Sequence, residues 1–183
     1  MVKHLQLPLS SDDIKELKAG DVVLLSGIIY TARDAAHKRI VESLKSGFSP
    51  IPLKDATIYY VGPTPAKPGE VIGSAGPTSS YRMDPYAESL LLEGVKVMIG
   101  KGPRSEAYKD LLKKHQALYL TAIGGAAVTI SEAIKECELV CYPDLGAEAI
   151  YKLRVEDFFA IVTYDANGGD LYQEGIKKYQ KTS

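Results

Sequence analysis

The sequence has no excess of either charge sign and no long apolar run near its amino terminus. Its 22 Lys and Arg residues stand against 23 Asp and Glu residues, which gives a net charge of -1. No basic field is therefore present to attract nucleic acid or an anionic membrane surface. The opening residues MVKHLQLPLSSDDIKEL contain no continuous apolar run, so we expect neither a signal peptide nor a membrane span.

Cysteine is scarce as well, with only Cys137 and Cys141 among 183 residues. Two cysteines are too few for a disulfide framework and fit a reducing compartment, which predicts a cytoplasmic location. Apolar residues at 45% and charged residues at 25% are ordinary for a globular protein. The length predicts one domain covering residues 1–183.

Apolar runs alternate along the chain with helical patterns. Segments such as VVLLSGII and VKVMIG are almost wholly apolar, as expected of strands covered on both faces. The predicted strands are residues 21–29, 57–61, 71–73, 95–99, 117–123, 138–142, 150–155 and 159–164. The predicted helices are residues 32–45, 85–93, 105–114, 128–137 and 169–179. This order predicts an α/β fold with a mixed sheet.

The first long helix begins with YTARDAAH. Thr31 and Asp34 have the spacing of a capping box, which is the structural interpretation of both residues. Arg33 opposes the helix dipole, so it fits either an anion bound at the helix start or a solvated pair with Asp34. His37 follows one turn later on the same face, and the pattern leaves open whether it is a core, surface or site residue.

The stretch GSAGPTSSYRMD joins the predicted strand 71–73 to the next helix. Asp84 and Pro85 predict the helix start, with Asp84 as its N-cap and Pro85 at the first helical position. The residues between form a strand-to-helix crossover, the place where α/β sheets bind ligands.

Small residues in this crossover suit an anion. Gly76 allows a close backbone approach, and Thr78 and Ser79 add short hydroxyl donors. Arg82 adds a fork that matches a carboxylate or phosphate. A tight packing turn is the structural alternative, and the second arginine at a helix start favours a small anion with two charged ends.

Two later glycine-rich turns are also candidates. The first is IGKGPRSE, in which Lys101 follows a strand and is either a third site cation or a surface lysine. The second contains Gly124 and Gly125 before a helix of small residues, where close packing is the favoured interpretation.

Five stretches in order carry a resemblance to a known family. They are TARDAAH, GPTSSYRMD, GKG, TAIGGAA and GAEAIYKLRVEDFFAIVTYDANG, which together extend from Thr31 to Gly168. The chain strongly resembles the β subunit, or carboxyl-terminal domain, of class I fumarases and L(+)-tartrate dehydratases, the iron–sulfur hydro-lyases. The resemblance implies a swivelling β/β/α fold and the reversible hydration of a dicarboxylate such as fumarate, which gives (S)-malate.

The resemblance also implies residue roles and a partner. Arg33 and Arg82 correspond to the arginines that bind substrate carboxylates, Lys101 to a further substrate contact, and Thr78 to the catalytic base. The substrate would lie between this chain and an α subunit carrying a [4Fe-4S] cluster, within a higher hetero-oligomer. Three cysteines are needed to hold that cluster, and this chain has two, which are expected to be buried structural thiols.

Elementary chemistry limits the role of Thr78. An aliphatic hydroxyl is a very weak base at neutral pH, so Thr78 would need help from cations or from an acidic group of the α subunit. Two alternatives to a fumarate hydratase β subunit stay open at this point. One is an L(+)-tartrate dehydratase β subunit, and the other is a non-catalytic module that binds small anions. A nucleotide-binding domain is disfavoured, because neither GxGxxG nor GxxxxGK with a following Ser or Thr occurs.

Overall fold

The computed structural model describes residues 1–123 and 127–180, with the side chains of residues 127–129 left out. Seven strands are β1 Val2–Gln6, β2 Val22–Thr31, β3 Thr57–Tyr59, β4 Val97–Gly100, β5 Leu118–Thr121, β6 Ile134–Cys141 and β7 Ile150–Tyr164. The α-helices are α1 Ser11–Glu16, α2 Asp34–Lys45, α3 Asp84–Leu92, α4 Glu106–His115, α5 Ala127–Ala133 and α6 Leu171–Tyr179. In the described residues, 3-10 helices cover Ser80–Met83 and Pro143–Glu148.

The strands form one mixed sheet in the order β1-β2-β3-β4-β5-β7-β6. Neighbours from β1 to β5 are parallel, whereas β7 runs antiparallel to β5, β6 and β2. The additional pairing of β2 with β7 closes a circuit through β3, β4 and β5. The predicted α/β class and mixed sheet are confirmed, whereas a single domain over the whole sequence stays a prediction.

Side chains on the two faces of the central strands pack into two separate apolar clusters. Along β4, Val97 and Ile99 pack into a cluster enclosed by the strand circuit, and Met98 packs into a second cluster beneath the helices. In β5, Leu118 and Leu120 join the first cluster and Tyr119 joins the second. Because consecutive side chains of a strand point to opposite faces, nearly continuous apolar runs are what burial on both faces requires.

Four predicted elements near the centre and end of the chain differ in the structure. Residues 71–73 are not a strand but part of a loop, in which Thr64 pairs with Ser74 through a 3.0 Å backbone bond and a 2.7 Å side-chain bond. The helix expected over 128–137 ends at Ala133, and β6 follows at once. Strands 150–155 and 159–164 are one strand, because Asp157 adopts a φ of 51° and a bulge beside β2 keeps the pairing continuous.

Two elements near the amino terminus were not predicted. Strand β1 pairs in parallel with β2, and α1 begins after Ser10. Ser10 and Asp13 form a complete capping box at that start. The SSDD stretch carried this signal, because a serine followed three residues later by a carboxylate marks a helix start. No helix in the described part of the chain is both long and apolar enough to traverse a bilayer.

Candidate functional site

The candidate site lies where β2, β3 and β4 end side by side. The register aligns Thr31 with Tyr59 and Tyr59 with Ile99, so the three parallel strands end at one edge. The backbone continues this alignment, since the Ala32 amide donates to the Tyr59 carbonyl at 3.0 Å and the Tyr60 amide to the Ile99 carbonyl at 2.9 Å. Arg33 and Lys101 follow immediately after two of these strands.

The segment from Thr78 to Met83 runs across the same edge. The Thr78 amide donates to the Tyr60 carbonyl at 2.8 Å, and Ser79 forms an isolated parallel bridge with Lys101. The chain then turns through a 3-10 helix, which carries Arg82, and continues into α3. The fold therefore brings Thr78, Ser79, Arg82 and Lys101 to one edge, although they come from distant parts of the sequence.

Arg33 is held between a glycine and a carboxylate. A Cβ at Gly62 would lie 3.1 Å from its Cδ and 3.2 Å from its Nη1, so a side chain at this position would crowd the arginine. On the other side, Nε lies 3.5 Å from Oε1 of Glu148, and this buried nitrogen has no hydrogen-bond partner in the described structure. Glu148 was not predicted, because it arrives from the connection before β7 and carries no local signal.

Arg82 faces Asp34 at the start of α2. The shortest distance, from Nη1 to Oδ2, is 4.0 Å, and the two side chains are 49% and 38% exposed. The other oxygen of Asp34, Oδ1, is buried without a hydrogen-bond partner among the described residues. The pairing is long and half in water, so it leaves the fork of Arg82 free to meet a ligand.

The predicted capping box at the start of α2 is wrong. The N-cap is Arg33, which makes no side-chain capping bond. Thr31 is instead the last residue of β2, and its hydroxyl donates to the Ala149 carbonyl at 3.3 Å and accepts from the Tyr151 amide at 3.0 Å. The threonine is therefore used to attach the start of β7 rather than to close the helix.

The remaining predicted polar groups lie open at the edge. Lys101 is exposed, and Gly76, Thr78 and Ser79 are half-buried. Within residues 1–123 and 127–180, the Lys101 ammonium has no ion pair and the Thr78 hydroxyl has no hydrogen-bond partner. Their roles as substrate contacts and catalytic base stay predictions. The turn containing Gly124 and Gly125 lies outside the described residues.

His37 lies beneath this edge rather than on it. It is 1% exposed, its Nδ1 lies 2.9 Å from the Arg33 carbonyl, and its ring meets Tyr60 edge-on at 5.4 Å. Burial lowers the pKa of His37 to about 4, against the opposite effect of the bond to Arg33. At neutral pH the ring is uncharged, and its Nδ1–H donates a hydrogen bond to that carbonyl, which supports the backbone of Arg33.

A fourth cation, Arg104, was missed by sequence reasoning. Its side chain is fully buried, and its guanidinium carbon lies 3.5, 5.1 and 5.3 Å from the ring centres of Tyr108, Tyr119 and Tyr60. Its Nε donates to Oδ1 of Asp84. Cation–π contacts and a carboxylate together compensate a charge that has left water.

Asp84 is not the N-cap of α3, as the sequence had predicted. Met83 occupies that position, Asp84 is the first helical residue, and Pro85 is the second. The Asp84 carboxylate instead accepts from Arg104 and, at 3.1 Å, from the Ser105 amide. It therefore joins the starts of α3 and α4, which fixes the helix immediately after Arg82.

A separate cleft of about 670 Å³ opens between the loop at residues 64–74 and the segment from α5 into β6. Lys67, Glu70, Glu132 and Lys135 lie along it. None of the predicted site residues lines this cleft, so it does not belong to the candidate site.

Comparison with known sequences agrees with this geometry. The profile of the family described as "Fumarase C-terminus" matches residues 2–175. The chain belongs to this family. The expected kinship with class I fumarases and L(+)-tartrate dehydratases is confirmed, and these relatives are hydro-lyases by name.

Three relatives illustrate the range of lengths within the fumarase C-terminal family. The aerobic class I fumarate hydratase of Escherichia coli K12 is 42% identical over 82% of this chain but only 28% of its own length. Fumarate hydratase 2 of Leishmania major is 38% identical over 89% of this chain and 29% of its own length. A Methanocaldococcus jannaschii protein, provisionally named L(+)-tartrate dehydratase subunit beta, is 38% identical over 94% of this chain and 93% of its own length.

The chain therefore spans about a third or less of the fumarate hydratases that it matches, and nearly the whole of the β-subunit relative. About two thirds of the length of those fumarate hydratases lies outside the part that this chain matches. What the whole assembly does is consequently a matter of proposal.

The cysteines of this fumarase C-terminal chain do not suit the cluster that the resemblance implies. Cys137 and Cys141 are free and half-buried, and both lie on β6. The expectation that Cys137 closes a helix was wrong, and the two thiols are half-buried rather than buried as expected. Burial raises the pKa of the Cys137 thiol, which disfavours the thiolate form that iron requires. Two such thiols do not supply the three ligands of the expected cluster.

Proposed function

We propose that this chain is the β subunit of a heteromeric iron–sulfur hydro-lyase that adds water reversibly to fumarate to give (S)-malate. In this proposal residues 1–183 form one substrate-binding domain. An α subunit with its own cysteines carries the [4Fe-4S] cluster, and the two subunits enclose the dicarboxylate between them within a cytoplasmic hetero-oligomer.

The arrangement of three cations around a hydroxyl-bearing segment is the observation that carries the proposal. Arg33, Arg82 and Lys101 all stand at the edge where β2, β3 and β4 end, and Thr78 lies on the segment that crosses it. A small dianion needs a cation near each end, and guanidinium forks match carboxylates in shape and charge. Lys101 is a compact point charge that fits either carboxylate or a hydroxyl of the substrate.

The carboxylates of this chain neutralise the two arginines only weakly. Arg33 has only a 3.5 Å contact with Glu148, and Arg82 only a 4.0 Å contact with Asp34. Contacts of this length between partly exposed groups contribute little. A substrate carboxylate that reaches hydrogen-bond distance is a stronger partner, and covering the edge with a second subunit would strengthen it further by excluding water.

Thr78 takes part in proton transfer in this proposal. Its backbone is fixed by the 2.8 Å bond from its amide to the Tyr60 carbonyl, two residues before the buried Ser80. Among the described residues, the hydroxyl makes no hydrogen bond to a basic group that could activate it. The group that activates it is therefore assigned to the α subunit.

Co-expression with a cysteine-bearing α partner, followed by an anaerobic assay of fumarate, malate and L(+)-tartrate, tests the proposal. We expect turnover only when both subunits are present, and a colourless, inactive β chain after iron–sulfur reconstitution alone. A brown and active β chain would overturn the half-enzyme interpretation. A complex that forms but acts on none of the dicarboxylates would overturn the hydro-lyase assignment.

Variants of Thr78 separate chemistry from binding in the same assay. Thr78→Val should lower kcat by about 10²–10⁴ with little change in KM, the usual contribution of a positioned acid or base. Thr78→Ser, which keeps the hydroxyl, should retain a sizeable part of the rate. If Thr78→Val only raises KM, the hydroxyl binds substrate and transfers no proton.

L(+)-tartrate is the second candidate substrate. The coverage of 93% of the M. jannaschii relative favours it, because that protein matches this chain in length as well as in sequence. Fumarate and tartrate share two carboxylates and differ in hydroxyl groups, so the cations of this edge suit both. A non-catalytic module would bind dicarboxylates to the β chain alone and gain no activity from any α partner.

A further inference from the structure

Two buried side chains hold the turn that carries Lys101. Ser80 is fully buried, its amide donates to the Lys101 carbonyl at 3.1 Å, and its Oγ accepts from the Lys101 amide at 2.9 Å. Tyr119 is also fully buried, and its hydroxyl lies 2.9 Å from both Ser80 Oγ and the Gly102 carbonyl. These bonds reach three consecutive peptide groups around Lys101.

The donors and acceptors of this cluster permit one fully paired arrangement. The Gly102 carbonyl accepts only, so the single hydroxyl proton of Tyr119 is donated to it. The hydroxyl proton of Ser80 then bridges to Tyr119, while Ser80 Oγ accepts from the Lys101 amide. Burial raises the pKa of Tyr119, against a smaller opposite effect of Ser80, so the hydroxyl keeps its proton at physiological pH.

The glycines on either side of Lys101 are explained by the same contacts. A Cβ at Gly100 would collide with Ser80 Oγ and lie 2.8 Å from the Tyr60 ring, so the serine hydroxyl occupies the space of a side chain. Gly102 has a φ of 82°, a conformation that favours glycine. The GKG stretch is therefore shaped to receive Ser80 and to turn Lys101 outward.

We propose that Ser80 and Tyr119 are positioning residues that set the place of the Lys101 ammonium relative to Thr78 and Arg82. Ser80 stands two residues after Thr78 and two before Arg82, so one serine connects all three groups. The importance of that placement for turnover rests on the function proposed above. The hydrogen bonds that fix the Lys101 turn lie within this chain and do not depend on that function.

Amide hydrogen exchange of the β chain, followed by NMR, is the first test. Ser80→Ala should accelerate exchange of the Lys101 amide about tenfold, the loss of one hydrogen bond, and Tyr119→Phe should accelerate it less. Tyr108→Phe is the matched control, because it also removes a buried phenol oxygen, here one that contacts Met98 Sδ at 3.3 Å and makes no hydrogen bond to the turn in the described structure. Unchanged protection of Lys101 in Ser80→Ala would overturn the proposal.

A double-mutant cycle in the assembled enzyme is the second test. Tyr119→Phe should lower kcat/KM about tenfold in the native background and leave it unchanged in a Lys101→Ala background, because the lost hydrogen bond then has nothing to position. Equal losses in both backgrounds would show a general structural effect and overturn the positioning role. If no assembled enzyme turns over a dicarboxylate, the proposed function fails, while the exchange measurements still decide whether Ser80 and Tyr119 hold the turn.

Discussion

Arg82 and Arg104 lie at the same end of the sheet and are bound in opposite ways. Arg104 has a fully buried side chain that meets a carboxylate and the faces of three tyrosines. Arg82 is half-exposed, and its shortest contact with Asp34 is 4.0 Å. Asp84, the partner of Arg104, lies only two residues beyond Arg82, so the buried pair holds the segment that presents the open one.

The difference separates a cation that stabilises the fold around the site from cations that are free to bind a ligand. A buried charge without full compensation costs several kcal/mol, so Arg104 must keep its partners in every state of the protein. Arg33, Arg82 and Lys101 have partners that are distant or absent in the described structure, and a ligand can replace them at little cost. Burial and the closeness of the partners, rather than residue type, therefore distinguish the two groups.

Removal of the buried cation should give the largest effect. Arg104→Met keeps an unbranched apolar chain against the tyrosine rings but leaves the Asp84 carboxylate without its charged partner. We expect the free energy of unfolding to fall by about 3–5 kcal/mol, as for other broken buried pairs, measured by urea denaturation. Asp84→Asn should cost less, because the amide oxygen can still accept from the Ser105 amide. A loss below about 1 kcal/mol for Arg104→Met would place this arginine with ordinary surface residues.

Removal of either open arginine should do the reverse. Arg33→Met and Arg82→Met should cost about 2–5 kcal/mol of substrate or transition-state binding in the assembled enzyme, the range for losing one partner of a covered charge pair. The free energy of unfolding of the β chain should change by no more than about 0.5 kcal/mol. Kinetics and denaturation of the same variants measure both quantities. If a variant unfolds easily yet binds substrate normally, its arginine is structural and the site has been misplaced.

Arg33 and Lys101 could be found in the sequence because each follows a strand, whereas the strand predicted before Arg82 is a loop. TARDAAH and IGKGPRSE come directly after apolar runs, and parallel strands bring their carboxyl ends to one edge. Arg104 stands only three residues from Lys101 in the same stretch, and no local pattern distinguishes them. The tyrosines that bury Arg104 come from the end of β3, from α4 and from β5, so its burial is a property of the tertiary fold.

The wrong boundary of the helix predicted over residues 128–137 also depends on the tertiary fold. The segment IKECELVC has charged and apolar residues in no strict alternation, because β6 is an edge strand that pairs, within the described residues, with β7 alone. A helical pattern that runs into such a strand gives no sharp boundary. The capping box expected at Thr31 failed for another reason, since the demand of β7 for a hydrogen-bond partner outweighed the local capping preference.

His37 contacts both the Arg33 carbonyl and Tyr60, one of the tyrosines around Arg104. Its burial should make the stability of the folded chain depend on pH. Its pKa is about 4 in the folded chain, below the ordinary value of 6.5, because burial disfavours the charged ring. Between these values the unfolded chain binds more protons, so stability is greatest above pH 6.5 and is lost as the pH falls toward 4. A shift of this size corresponds to about 3 kcal/mol.

Denaturation curves of the native chain and of His37→Gln across pH 7 to 4 would measure this contribution. The glutamine is neutral throughout and can still donate to the Arg33 carbonyl, so the variant should lose stability less steeply over this range. Parallel curves for the two proteins would mean that His37 is charged or accessible in the folded chain. In that case the arginine backbone above it would be less firmly supported than the contacts indicate.

The smallest effect should come from an exposed arginine that, like Arg104, pairs with a carboxylate and lies near a tyrosine ring. Arg39 donates to both oxygens of Asp144, at 2.8 and 2.5 Å, and its guanidinium lies 5.2 Å from the centre of the Tyr142 ring. The arginine and aspartate side chains are 39% and 61% exposed, so water and salt screen their attraction. We expect Arg39→Met to leave the melting temperature nearly unchanged, measured beside Arg104→Met at low and high salt. Equal destabilisation by the two variants would mean that pairing geometry, not burial, makes an arginine structural in this protein.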